Sequence, residues 1–555
     1  MNNRRIVVEK QWNLGIMGNS IRPFIKNGMV YGYDVAANEL IDSILMYSNS
    51  NKVTCFYEPE QYQESILLRK INKANRNRMD CKLDMISEYD LLFGNVKNVD
   101  IQVLHNVDNQ FVQLCGLREA LGLNIPITFT IHCASYPQYL DEYFLPMVIS
   151  PLRPYDVFIC TSEAVRDAVR KLLKKVESYT GRECDLRLEI IPLGIRTDKF
   201  KQGNKTELRQ KYGIDPNDFV ILWLGRFEIE QKADLYPLLL VFSRLVKKNK
   251  TKNLKLVLAG YQPTNSNYLS VLKEQVNTLG IIDNVIFMEN HDVMNRNELY
   301  ALSDVFTSPI DNIQETFGIT PIEAMACGVP QVVSDWDGYK DTVEDGVTGF
   351  RVPTYWAECD KDINKFGMLP YDEVSRCNLY HYLMSQTVVI DIIKYEEAFQ
   401  KLIDDEELRK TMGEQSRKRA EQHYDWKVII EQYNNLWERL IKKAENTPVS
   451  NTNERTLSPE FFNCFSHYAT GIFDGDTKFA TLSCNDEEAI CYMENYTDSY
   501  GIFDQELAQN VVECLKNKIM SMNEINDKFS DVPKDVIRRT VMRLCKYGLI
   551  NIVNI

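Results

Sequence analysis

No stretch of this chain approaches the roughly 18 to 20 consecutive apolar residues that span a bilayer. The start, Met1 to Lys10, also lacks the apolar segment of a signal peptide. A cytoplasmic protein, at most peripheral to a membrane, is expected. The 14 cysteines form no Cys-x-x-Cys pair and often sit in apolar strings such as Val157-Phe-Ile-Cys160, which points to reduced structural thiols. The 6 histidines show neither triad spacing nor a His-Glu-x-x-His pattern. Three Asp-x-Asp elements, at Asp335 and Asp337, Asp360 and Asp362, and Asp474 and Asp476, are read as solvated, so no metal is expected. Basic surplus is missing too. A net charge of -14 argues against broad binding of a phosphate backbone while leaving room for a local basic patch. Fixed-period repeats and low-complexity tracts are absent.

What is present suits a large globular protein of two or three domains: 555 residues, 44% hydrophobic and 26% charged. Short apolar runs alternate with helical stretches, first at Val53 to Phe56, Ile101 to Leu104, Ile127 to Ile131, Val157 to Cys160 and Leu188 to Ile191. A second series follows at Val220 to Leu224, Leu254 to Leu258, Val285 to Phe287, Val305 to Thr307 and Gln331 to Ser334. Continuous apolarity suits buried parallel strands, and two series suit two Rossmann-like α/β halves that face a cleft.

Glu315 and Glu323 stand eight residues apart in Glu315-Thr-Phe-Gly-Ile-Thr-Pro-Ile-Glu323-Ala-Met-Ala-Cys-Gly328. Thr320 reads as an N-cap and Pro321 as the first helical residue, with Gly328 ending a short helix. Thr320-Pro-Ile-Glu323 also fits a capping box, in which Glu323 reaches back to the cap. An exposed helix N-terminus beside Phe317-Gly318 favours a phosphate, so the same segment suits a ligand site.

At these residues the chain resembles the retaining glycosyltransferases of family 4, which have the GT-B fold and a Glu, seven residues, Glu motif. The resemblance continues through Ser334-Asp335-Trp-Asp-Gly338 to Asp345-Gly346-Val-Thr-Gly349-Phe350. It implies that Glu315 contacts the transferred sugar and Glu323 the ribose hydroxyls of the donor, beside Phe317, Gly318, Ile319 and Thr320. Arg226 and Lys232 resemble the family's basic pair on the donor diphosphate, where a forked cation and a compact one neutralise the leaving group without a metal. The same two side chains also suit a surface pair matched to Glu228 and Glu230. His132, at the end of a strand, resembles the family's cleft histidine, although an isolated His there also suits a hydrogen-bonded loop. The amino-terminal loop, Asn27 to Ala36, departs from the family's glycine-rich turn. Gly32 would allow a phosphate to approach, and a plain helix entry over Val35 to Met46 with Asp34 as N-cap fits as well.

The implied domains are an N-terminal Rossmann-like acceptor domain at 1–200, a donor domain at 201–420 and a crossover helix at 421–445. A linker at 446–458 and a mainly helical, winged-helix-like accessory domain at 459–555 follow. The last rests on helices over Leu507 to Lys518, Met522 to Phe529 and Lys534 to Tyr547, then a strand over Leu549 to Val553. Ile537, Val541 and Leu544 share one face of the third helix, leaving Arg538, Arg539 and Arg543 outward. That suits a nucleic-acid reader, but 15 acidic against 9 basic residues in 459–555 and the lack of a full wing hairpin favour a protein or peptide partner, with simple packing or a homo-oligomer contact also open.

The resemblance implies transfer with retention from a nucleotide-diphosphate sugar, UDP favoured over GDP, with no other cofactor. The acceptor, whether glycan, lipid-linked or polypeptide, is unidentified. A double displacement would instead need a carboxylate close to the anomeric carbon. Two rivals keep the same fold: a nucleotide-sugar epimerase, and a non-catalytic sugar-nucleotide sensor with winged-helix output.

Overall fold

The computed structural model describes residues 12–17, 32–57, 69, 70, 72, 73, 81–87, 90, 99–107, 111–263, 266–289, 295–366, 373–448, 461–482, 504–516 and 518–554. The glycine at 28, the loop at Asn290 to Asp292 and most of the expected linker lie outside them. The chain divides into two units, one formed by 1–85 with 100–456 and the other by 86–99 with 457–555.

The first unit holds two large sheets. Strands β1 (Asn13–Met17), β2 (Lys52–Tyr57), β3 (Lys82–Ser87), β4 (Val103–Asn106), β5 (Ile127–Thr130), β6 (Val157–Cys160) and β7 (Arg187–Ile190) form one, in the order β3-β2-β1-β4-β5-β6-β7. Strands β8 (Phe219–Leu224), β9 (Leu254–Gly260), β10 (Val285–Glu289), β11 (Val305–Ser308), β12 (Gln331–Ser334) and β13 (Gly349–Val352) form the other, in the order β10-β9-β8-β11-β12-β13. Each sheet reverses its order once, between β1 and β4 and between β8 and β11, and both junctions pair parallel. Open α/β sheets bind ligands beyond the strand carboxyl ends at such points. Gly225-Arg226 follows β8, and the Glu315 segment follows β11.

The ten apolar runs singled out in the sequence all fall on these strands, while β1, β3 and β13 escape that reading. β3 is amphipathic, with intermediate burial over most of its length, so it carries no continuous apolar string. The helix after β1 begins at Gly32 (Gly32–Tyr47), so Asp34 sits in its first turn and is not the N-cap that the sequence suggests.

Chain crossing is built around Gly194. A Cβ there would stand 2.4 Å from the Trp426 ring, so only glycine admits the indole. The Ile195 N–H donates to the Tyr424 carbonyl at 2.7 Å, and the Trp426 N–H returns a bond to the Ile195 carbonyl at 3.2 Å. Asp425 then caps the helix Trp426–Glu445, accepting from the Lys427 N–H at 2.9 Å. Its apolar face, including Ile429, Tyr433, Trp437 and Leu440, buries in the core of the first sheet with Trp12, Leu14 and Ile41. Trp437 Nε1 donates to Thr128 Oγ1 at 3.0 Å, and Tyr433 and Thr130 share a hydroxyl contact at 2.8 Å. No helix among the described residues is long and apolar enough to cross a membrane.

Two histidines lie fully buried in this unit, His105 on β4 and His381 on the helix Glu373–Ser385. Burial holds the His105 ring down to about 3, with the nearby His132 adding to the effect, and burial holds His381 down to about 4. The usual value is 6.5. Below it the unfolded chain takes up protons that the folded chain refuses, so this stability is present above pH 6.5 and is lost as pH falls. From pH 7 to 5 the wild-type melting temperature should therefore fall more steeply than that of His105→Gln; parallel slopes would count against this origin.

In the second unit β16 (Lys478–Thr481) lies between β17 (Met520–Ser521) and β18 (Ile550–Asn554), antiparallel to both. Helices Gln505–Leu515, Met522–Lys528 and Lys534–Lys546 pack with that sheet around Phe479, Val511, Ile525, Ile537, Val541 and Leu544. Ser521 and Glu524 form a capping box on the middle helix. Arg538 and Arg539 face outward, whereas Arg543 is only half exposed, its guanidinium 5.7 Å from the Tyr547 ring centroid. β16 has no sequence counterpart in the expected winged-helix pattern because its four residues carry a single buried side chain core, Phe479.

Candidate active site

Between the two sheets of the first unit lies a cavity of about 430 Å³. Gly32, His132, Arg226, Lys232, Glu315, Phe317, Gly318, Ile319 and Thr320 all line it. Residues nearly 300 apart in sequence thus share one space. Glu323 does not line it.

Glu315 is held at the mouth of the 319–326 helix. Its Oε2 lies 3.1 Å from Lys232 Nζ, and its Oε1 accepts from the Thr316 N–H at 3.3 Å and the Phe317 N–H at 3.5 Å. Burial pushes this carboxyl up, but the Lys232 ammonium and the Phe317 and Thr316 N–H bonds together leave Glu315 below its ordinary value. Arg226 instead pairs with Glu228, Nε to Oε2 at 2.8 Å. Of the surface pairing considered with Glu228 and Glu230, only the Arg226 half forms, and Lys232 turns inward to the motif carboxylate.

The helix Ile319–Ala326 starts two residues before the position expected of it. Gly318, at φ 95°, is the N-cap, and Thr320 is already helical. A Cβ at Gly318 would stand 2.3 Å from Tyr339, whose hydroxyl meets Ser308 Oγ at 2.8 Å. Glycine therefore satisfies both the left-handed backbone and the crowding. Having no side chain, Gly318 leaves the first helical N–H groups uncapped beside the cavity. Gly328, at φ 69°, follows the helix as the sequence suggests.

The capping box is absent. Glu323 is fully buried; its Oε2 accepts from the Tyr300 hydroxyl at 2.7 Å and its Oε1 lies 2.7 Å from Arg296 Nη1. Burial raises the Glu323 carboxyl against the pull of Arg296 and Tyr300. Arg296 does line the cavity, packing over the Phe200 ring with 5.6 Å to its centroid. Sequence reading missed this arginine, since nothing local ties it to a glutamate a helix and a strand later.

Thr316 stitches the two halves together. Its Oγ1 donates to the His132 carbonyl at 2.9 Å, and its own carbonyl accepts from Ser162 Oγ at 2.7 Å. The His132 ring is partly exposed to the cavity, and burial of its nitrogens holds it down to about 4, so it is neutral near pH 7. Asp337 is another correction: its Oδ1 is buried, its backbone has φ 44°, and burial with the nearby Glu315 charge keeps its carboxyl well above the usual range. Asp335 pairs with Arg351 at 3.4 Å, so it too is more than a solvated charge.

Two α/β halves with switch points facing a shared cavity make the GT-B fold, and solved structures of that fold resemble this one. The Anabaena HepE protein, solved in complex with UDP, has a TM-score of 0.52 at 16% identity, over 77% of this chain and 100% of its own. A glycosyltransferase of Rickettsia africae ESF-5 has a TM-score of 0.52 at 15% identity, over 79% and 100%. Residues 204–377 match the family "Glycosyl transferases group 1". Among curated proteins, an alpha-monoglucosyldiacylglycerol synthase of Streptococcus pneumoniae R6 is 30% identical over 279 residues, 48% of this chain and 58% of its own. A D-inositol 3-phosphate glycosyltransferase of Rhodococcus erythropolis PR4 is 28% identical over 173 residues, 31% and 38%. The chain thus spans less than two thirds of the length of these curated relatives.

Proposed function

We propose that the protein is a retaining glycosyltransferase that takes a sugar from a nucleotide-diphosphate sugar, with UDP as the nucleotide. The observation that carries this reading is the convergence of Lys232, Arg226, Glu315 and the uncapped start of the 319–326 helix on one cavity. Cations and helix N–H groups are what a departing diphosphate needs as charge builds on it. The bond from the anomeric carbon to the diphosphate breaks with its electron pair leaving on the nucleotide. The acceptor oxygen bonds the same face, and its proton passes to the leaving phosphate. Neutral His132 binds sugar hydroxyls in this scheme, and Glu315 orients the sugar. The names of the matched relatives support glycosyl transfer, and the UDP complex of HepE supports the donor class. Two arginine- and lysine-borne charges make a metal unnecessary for neutralising the leaving group.

Incubation with UDP-glucose, UDP-galactose and UDP-N-acetylglucosamine tests this, read by UDP release and by the anomeric configuration of the product. Release with retention is expected from at least one donor. A rearranged sugar would favour the epimerase reading, and binding without turnover the sensor.

Glu323 serves the donor through Arg296 in this reading, because both its oxygens are already engaged within the protein. Glu323→Gln keeps an acceptor for Tyr300 but removes the charge opposite Arg296. UDP affinity should weaken by about tenfold, in line with the loss of one charged hydrogen bond. Calorimetric titration with UDP checks this, and an unchanged affinity would separate Glu323 from the nucleotide.

For the unit containing 457–555 we propose a winged-helix-like partner module that binds a protein or peptide. Its three helices, three-stranded sheet and acidic balance support that reading over nucleic acid.

A further inference from the structure

Part of the cavity lining is uncharged. The charged side chains among its described lining residues are Arg226, Lys232, Arg296 and Glu315. Five others, Tyr136, Gln138, Tyr139, Gln231 and Gln314, are aromatic or amide. Three of them are tied together. Gln314 Nε2 donates to the Tyr136 hydroxyl at 2.8 Å, and the Tyr136 and Tyr139 rings lie 5.2 Å apart at 55°. Gln231 donates from its amide to Asn378 Oδ1.

Asn378 and His381 belong to the helix Glu373–Ser385, which lies within the excursion between β14 (Thr354–Tyr355) and β15 (Val389–Ile390), themselves paired antiparallel. Chain leaves the sheet at β14 and returns at β15, and in between it delivers these two side chains to the cleft wall. His381 is fully buried; its Nε2 lies 3.0 Å from Ser135 Oγ, and its ring meets the Tyr136 ring edge-on at 5.2 Å. Tyr136 is thus held from three sides: by Gln314, by Tyr139 and by His381.

A planar amide offers a donor and an acceptor side by side, which matches a pair of neighbouring hydroxyls. A tyrosine ring offers an apolar face with a polar tip, which matches the C–H face of a pyranose. An alkyl chain would need aliphatic side chains, and an anionic acceptor a cation, and these five side chains supply neither. We propose that Tyr136, Gln138, Tyr139, Gln231 and Gln314 form the acceptor subsite, that it takes a neutral sugar ring, and that His381 is the positioning residue for Tyr136. This assignment rests on the transferase reading given above. Gln231 and Gln314 immediately precede Lys232 and Glu315 in sequence, so the subsite borders the place assigned to the donor sugar.

The test uses the full-length protein. UDP affinity is measured first by calorimetry, and the UDP-loaded protein is then titrated with the methyl glycosides of glucose, galactose, mannose and N-acetylglucosamine. Saturable binding of at least one is expected, weakened at least tenfold by Tyr136→Ala and by Tyr139→Ala, with UDP affinity unchanged in both. His381→Gln should weaken the glycoside several-fold while also leaving UDP affinity unchanged, a split that general loss of structure would not produce. Failure of all four glycosides to bind the UDP-loaded protein overturns the subsite, as does equal binding by both tyrosine variants. Transfer to diacylglycerol in detergent micelles with no glycoside binding overturns it in favour of a lipid acceptor. If UDP itself does not bind, the nucleotide-sugar reading fails and the subsite falls with it.

Discussion

Lys232→Ala is expected to lower kcat for UDP release by about 10²- to 10³-fold, the size of effect seen when one preorganised charge at a developing anion is removed. The lysine has two tasks that its position joins. Its ammonium lines the cavity that we propose takes the diphosphate, and it sits 3.1 Å from Glu315 Oε2 with only 18% of its side chain exposed. A charge in so dry a setting acts with little screening. Turnover should therefore fall more than donor affinity, because the interaction strengthens as the leaving group gains charge.

The pH profile adds a second, independent readout. In the wild type the Lys232 charge, with the Thr316 and Phe317 N–H bonds, offsets the burial of Glu315 and holds its carboxyl low. With the lysine gone, burial is opposed only by those two N–H bonds and the carboxyl rises. A step that needs ionised Glu315 would then fail at a higher pH on the acidic side, so the acid limb of kcat moves upward. A drop of less than about tenfold in kcat, with an unmoved acid limb, would remove Lys232 from the reacting centre.

Arg118→Met is expected to destabilise the first unit by about 3–5 kcal/mol, the range for breaking one side of a buried ion pair. Arg118 and Asp156 have fully buried side chains, with Arg118 Nη1 2.5 Å from Asp156 Oδ1. Arg118 also donates to the Ile125 carbonyl at 3.2 Å and the Pro151 carbonyl at 2.8 Å. Asp156 in turn accepts from the Ile127 N–H at 2.9 Å and the Arg153 N–H at 2.8 Å. These bonds tie the entrance of β5 to the entrance of β6. Methionine fills much the same volume, so the loss measures the uncompensated Asp156 charge and the two orphaned carbonyls rather than a cavity. Urea unfolding would show it as a lower midpoint at unchanged slope, and a loss under 1 kcal/mol would mean that water or a neighbour takes over the arginine's partners.

Much of the cleft is legible before any coordinates. Glu315, Lys232, Arg226 and His132 stand at the carboxyl ends of apolar strings, and a strand's end can be read from where its string stops. The helix entry was read two residues off, because Thr320 has the chemistry of a cap while Gly318 has the conformation for one, and crowding by Tyr339 decides between them. The second glutamate was read as a ribose contact or a cap, and it is neither on the cavity wall nor at the helix start. Its partners, Arg296 and Tyr300, come from the helix Arg296–Leu302, and no local period announces a meeting between two helices.

The sequence alone determined the alternation of buried strands and helices, the two-series layout of the first unit and the glycines that let backbones come close. These follow from local rules: side-chain period, β-branched burial and positive φ act within a few residues. Tertiary structure alone decided which charges pair, that Lys232 faces Glu315 instead of its neighbours, that Thr316 bonds across the cleft to His132 and Ser162, and that the 354–390 excursion returns His381 to Tyr136. Those contacts join residues tens to hundreds of positions apart, and only the packing of whole elements sets which polar groups, once buried, find each other.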